Sequence, residues 1–114
     1  MSSAFPVPPP TASIATNWYK VAAVEELADG ELKRVPVAGK VLVLVRVGDR
    51  YGALDNRCPH MGGPLAEGSL ENGRLVCPWH GREYDPLNGN CDGYAESVRA
   101  YPVEVRADGV YAAL

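Results

Sequence analysis

An all-β fold, an antiparallel sandwich or barrel, is what this sequence predicts. Short apolar or alternating runs recur along the chain, as half-buried strands require. Turn pairs at Gly48-Asp49, Asn72-Gly73, Asn88-Gly89 and Asp108-Gly109 separate many of them. Only Val24–Ala28 has a helical look, and it is long enough for a single turn. With 114 residues, the chain is one small domain able to bury a genuine core.

Taken in order, the segment Met1–Thr16 holds four prolines and no positive charge. Its Phe5-Pro6-Val7-Pro8-Pro9-Pro10 stretch favours extended polyproline geometry, so 1–16 reads as a disordered arm and 17–114 as the folded domain. Strands are expected at Trp18–Val21, Leu32–Val37, Val41–Val47, Tyr51–Asp55, Leu75–Cys77, Val103–Arg106 and Val110–Ala113. The run Val41-Leu42-Val43-Leu44-Val45 is apolar at every position, which marks a central strand covered on both faces. Between strands, Asn56–Gly68 and Pro78 to about Tyr94 form two loops rich in Gly and Pro.

Composition narrows the function. Hydrophobic residues make up 46% and charged residues 22%, with a net charge of −3 and a pI near 5.3. That balance is globular and argues against a nucleic-acid binder, which needs a basic face. There is no basic start with an apolar stretch at the N-terminus, and no window approaches the ~18 apolar residues of a membrane span. Of three cysteines, two are wanted by the motif below, which leaves Cys91 no partner for an internal disulfide. A cytoplasmic protein without a membrane anchor is expected.

The chemistry lies in the two loops. One carries Cys58-Pro59-His60 and the other Cys77-Pro78-Trp79-His80, with sixteen residues between His60 and Cys77. Each clip supplies one thiolate and one imidazole. Matched mixed clips suit a binuclear centre in which one iron takes both sulfurs and the other both nitrogens. Two ferric ions, two bridging sulfides and two thiolates sum to zero charge, against −2 for a four-cysteine cluster, so an added electron is less opposed. A structural Cys2His2 zinc site is the other reading of the same residues. Zinc sites more often pair two cysteines at close spacing and two histidines further on.

The spacing C-x-H-x16-C-x2-H closely resembles the Rieske family. The stretches Tyr51–Arg57, Gly62-Gly63-Pro64-Leu65 and His80–Asp85 add to the likeness, which runs from about residue 17 to the C-terminus. The resemblance implies a Rieske fold: a β-sandwich base with a small two-loop cluster-binding subdomain at about 56–94. It implies a single [2Fe–2S] cluster held by Cys58 and Cys77 on the inner iron and His60 and His80 on the outer. It also implies that the Tyr84 hydroxyl donates to a cysteine sulfur. High-potential members carry an inter-loop disulfide and a serine where this chain has Gly63, Trp79 and Arg82. Fewer donors to the cluster place the potential toward the low end of the Rieske range.

Other residues near the motif have plainer readings. Pro59 and Pro78 stiffen the loops, and Gly62 and Gly63 allow close backbone approach. Trp79 reads as hydrophobic cover over the cluster, and Cys91 as a small buried hydrophobe. Glu67, Glu71, Glu83, Asp85, Asp92 and Glu96 are solvated carboxylates or a negative face for a basic partner.

Together these features point to a one-electron carrier that is not itself an enzyme, taking electrons from a flavin-dependent reductase and passing them to a terminal oxygenase. Both histidines are committed to the cluster, so none remains for a mononuclear iron site, and no G-x-G-x-x-G element offers a nucleotide site. No small-molecule substrate of its own is expected. The alternatives are a small Rieske subunit of a larger enzyme, such as a nitrite-reductase-like complex, and a zinc-stabilised interaction module.

Overall fold

The computed structural model describes residues 17–59, 62–79, 81–91 and 97–114. The arm 1–16, together with His60, Met61, His80, Asp92, Tyr94 and Glu96, lies outside the described residues.

Among the described residues the chain is built from β1 (Trp18–Ala22), β2 (Leu32–Val37), β3 (Lys40–Val47), β4 (Arg50–Asp55), β5 (Ser69–Glu71), β6 (Arg74–Val76), β7 (Glu83–Tyr84), β8 (Ala100–Tyr101), β9 (Val103–Arg106) and β10 (Gly109–Ala113). A 3-10 turn spans Leu65–Glu67. The strands form three antiparallel sheets, ordered β1-β10-β9, β2-β3-β4-β8 and β5-β6-β7.

Turn chemistry explains the hairpins. Ala38-Gly39 joins β2 to β3 and Asn72-Gly73 joins β5 to β6, with both residues of each pair at positive φ. That geometry matches the twist of two-residue hairpins. Pro36 fits in β2 because β2 is an edge strand. At the β9–β10 connection the turn residues are Ala107 and Asp108, not the Asp108-Gly109 pair the sequence suggests. Gly109 instead opens β10, where a Cβ would lie 2.6 Å from the Ala22 carbonyl oxygen.

The helical turn expected at Val24–Ala28 does not form. Glu25 turns the chain at φ 63°, and the Glu26 and Glu31 carboxylates accept the N–H groups of Ala23 and Ala28 at 2.9 and 2.7 Å. These local bonds give the backbone an alternative to a helix. Lys33 pairs with Glu26 across the excursion, and Leu27 fixes it by burying its side chain.

Two cores share one sheet. Alternation along β3 sends Leu42 and Leu44 into a core with Val21, Val35, Ala53, Tyr101, Val110 and Ala112. It sends Val43 and Val45 through the opposite face into a second core with Leu54, Leu65, Leu75, Tyr84 and the three cysteines. The first core closes the sandwich against β1 and β10; the second underlies the two motif loops. Full burial of each such aliphatic side chain contributes about 1.5–3 kcal/mol. The all-apolar run in β3 therefore reflects a strand that supports both the base and the site.

Candidate metal centre

Each motif loop begins where a strand ends, and both close in the same way. In the first, which follows β4, the Cys58 N–H donates to the Gly63 carbonyl at 2.8 Å and the Gly62 N–H to the Cys58 carbonyl at 2.6 Å. In the second, which follows β6, the Cys77 N–H donates to the Arg82 carbonyl at 2.8 Å and the Gly81 N–H to the Cys77 carbonyl at 3.0 Å. The offsets from each cysteine are identical. Gly62 at φ 80° and Gly81 at φ 73° supply the left-handed residue that such a tight closure requires. Pro59 and Pro78 follow the cysteines and bring no N–H into these turns.

The closures present Cys58 and Cys77 as buried sulfurs, each 1% exposed. Elements of the opposite loop touch both. Tyr84, on β7 after the second loop, brings its hydroxyl to 3.1 Å from the Cys58 Sγ in the first. Gly63, in the first loop, passes so near Cys77 in the second that a Cβ would lie 3.2 Å from its Sγ. Tyr84 is held there by pairing with Leu75 and by an isolated bridge to Cys91. Burial, and then the bond to Cys58, raise the pKa of its hydroxyl well above the ordinary phenol value. The sequence leaves Tyr84 in a loop, whereas it belongs to a two-residue strand too short for any periodicity.

The remaining motif residues divide clearly. Cys91 is a buried member of the second core, as read from the sequence. Among the described residues no third Cys, Asp or Glu joins the two sulfurs in a metal-binding group. His60 and His80, the expected nitrogen ligands, lie outside the described residues. Glu67 and Glu83 are exposed. Two other carboxylates have local duties: Asp85 accepts the Leu87 N–H at 2.8 Å, and Glu71 the Ser69 hydroxyl at 2.7 Å. Two buried soft sulfurs, one with a hydroxyl on it, fit the thiolate half of a [2Fe–2S] site.

Several supporting residues escape a motif-based reading. Asn56 ends its loop's freedom from both sides: its N–H donates to the Val41 carbonyl at 3.0 Å, and its Oδ1 accepts the Ala66 N–H at 2.6 Å. At Gly52, Gly68 and Gly89 a Cβ would fall within 2 Å of the carbonyl oxygens of Pro86, Val76 and Val98 respectively. Gly52 thereby lets the base sheet meet the second loop. The visible signal was a glycine inside a strand, a mark of close backbone approach.

Known proteins resemble the chain along most of its length. Human Apoptosis-inducing factor 3 is 29% identical over 97% of this chain, which spans only 18% of that relative. The ferredoxin component of the naphthalene 1,2-dioxygenase/salicylate 5-hydroxylase systems of a Ralstonia species is 30% identical, over 78% of this chain and 88% of the relative. A chain in the solved complex of reduced oxygenase and oxidized ferredoxin in carbazole 1,9a-dioxygenase superposes with a TM-score of 0.75 at 30% identity, covering 82% of this chain and 99% of that one. Residues 17–103 match the Rieske [2Fe-2S] domain, so the chain belongs to the Rieske [2Fe–2S] family and its cofactor is one cluster of that type.

Proposed function

We propose that the chain is a one-electron carrier, a Rieske-type ferredoxin that serves a flavin-dependent reductase on one side and a terminal oxygenase on the other. The observation that carries this reading is the pair of identically closed loops presenting Cys58 and Cys77 as buried sulfurs. Near-complete coverage of a dioxygenase ferredoxin component supports it, as does the likeness to a chain solved in an oxygenase–ferredoxin complex. When bound, the cluster supplies a one-electron couple. Cys58 and Cys77 would hold it by sulfur and His60 and His80 by nitrogen. To a cluster-bound Cys58 thiolate, which has no proton to give, the Tyr84 hydroxyl 3.1 Å away would donate, and the second core keeps water away from both sulfurs. A thiolate-bound cluster suits the reducing cytoplasm. Among the described residues, no helix is long and apolar enough to cross a membrane. On this reading the Rieske domain is 17–114, and residues 1–16 lie outside it.

Reconstitution with the reductase and oxygenase of a naphthalene- or carbazole-type system tests the role. Oxygenase turnover that depends on this protein is the expected result. Efficient turnover in its absence, or a purified protein that holds zinc, would defeat the reading.

A further inference from the structure

Trp79 stands out on the molecule because it is large, aromatic and 55% exposed while adjoining the most buried part of the site. The rest of the residue is covered. The first loop passes against the ring at Gly63: a Cβ built there would lie 3.0 Å from Trp79 Cδ2, 3.1 Å from Cγ and 3.2 Å from the Cys77 sulfur. Gly63 has an ordinary backbone conformation, so the missing side chain is a matter of space rather than of φ. The indole therefore rests on the first loop although it belongs to the second, directly beside Cys77.

We infer that Trp79 is a positioning residue: it clamps the two cluster loops together by packing on Gly63 and shields the Cys77 sulfur from water. The clamp is a size match. A side chain at residue 63 would push the ring away, and a smaller residue at 79 would open the first loop to solvent. Loss of the shield admits water to a thiolate ligand. Water favours the more negatively charged, reduced state, so opening the clamp raises the reduction potential. The inference rests on the proposed cluster site, but the coupling between Gly63 and Trp79 does not depend on it.

The test compares wild type with Trp79→Ala, Trp79→Phe, Gly63→Ala and the Gly63→Ala/Trp79→Ala double variant. Thermal unfolding, reduction potential and the rate of cluster release to an iron chelator are measured on each. Trp79→Ala should release the cluster severalfold faster and shift the potential upward, with Trp79→Phe restoring most of both. Gly63→Ala should destabilise the wild type more than it destabilises Trp79→Ala, the non-additivity expected of residues in contact. An additive cycle together with an unmoved or lowered Trp79→Ala potential, in a wild type that holds its cluster, overturns the clamp alone. A wild type that holds no iron–sulfur cluster overturns the functional reading and the shielding role with it.

Discussion

The Tyr84 hydroxyl meets the Cys58 sulfur at 3.1 Å from a ring that is wholly buried. Burial holds that hydroxyl protonated far into the alkaline range, so it remains a donor at every physiological pH. A donor to a cluster sulfur stabilises the reduced state more than the oxidised one. Tyr84→Phe should therefore keep the cluster and lower its potential by roughly 40 mV, one net hydrogen bond of about 1 kcal/mol expressed for one electron. Voltammetry of the variant checks this, and an unmoved potential would remove Tyr84 from the tuning set. His60→Ala is the sharper test of ligation. With the outer iron short of one nitrogen, the visible iron–sulfur absorption should be lost or bleach rapidly; a normal Rieske spectrum would exclude His60 as a ligand.

At the level of elements, β3 was the most legible strand, since an uninterrupted apolar run has one simple explanation: both faces are covered. The hairpins at Gly48-Asp49 and Asn72-Gly73 were equally readable from turn residues. What escaped was short. The strands β5, β7 and β8 have two or three residues each and show no period, because their positions are set by the loops and cores around them. The Val24–Ala28 turn was misread because carboxylate bonds to nearby N–H groups overrode the local pattern. The motif singled out Cys58 and Cys77, both of which the structure buries, yet nothing in it pointed to Asn56 or Gly52, which hold the loops on the base. Gly52 gives the clearest prediction here: a Cβ would fall 1.7 Å from the Pro86 carbonyl oxygen. Gly52→Ala should destabilise the protein by about 3 kcal/mol, at the upper end of typical overpacking costs. Denaturant unfolding measures it, and a loss under about 0.5 kcal/mol, no more than an ordinary surface substitution, would mean that the base and second loop are not tightly joined at that point.

For the whole molecule, stability and function are served by separate parts that meet in one sheet. The base is joined across β4 and β8 by Tyr101, whose hydroxyl donates to the Asp55 carboxylate at 2.6 Å. Burial, and then that bond, push the Tyr101 pKa up to about 12. A raised pKa means the folded state keeps this proton longer than the unfolded chain does. Its contribution is therefore complete below about pH 10 and is lost as pH rises toward about 12. Tyr101→Phe should flatten the fall in stability over that window, and a parallel curve in wild type and variant would contradict it. By the family resemblance, Gly63, Trp79 and Arg82 stand where high-potential Rieske proteins carry a disulfide and a serine, which implies fewer donors to the cluster and a low potential. Direct voltammetry of the purified protein, scanned across pH, tests the central claim in a single experiment. A reversible one-electron wave near about −150 mV is the predicted result. No reversible wave, or one several hundred millivolts higher, would contradict a low-potential Rieske carrier.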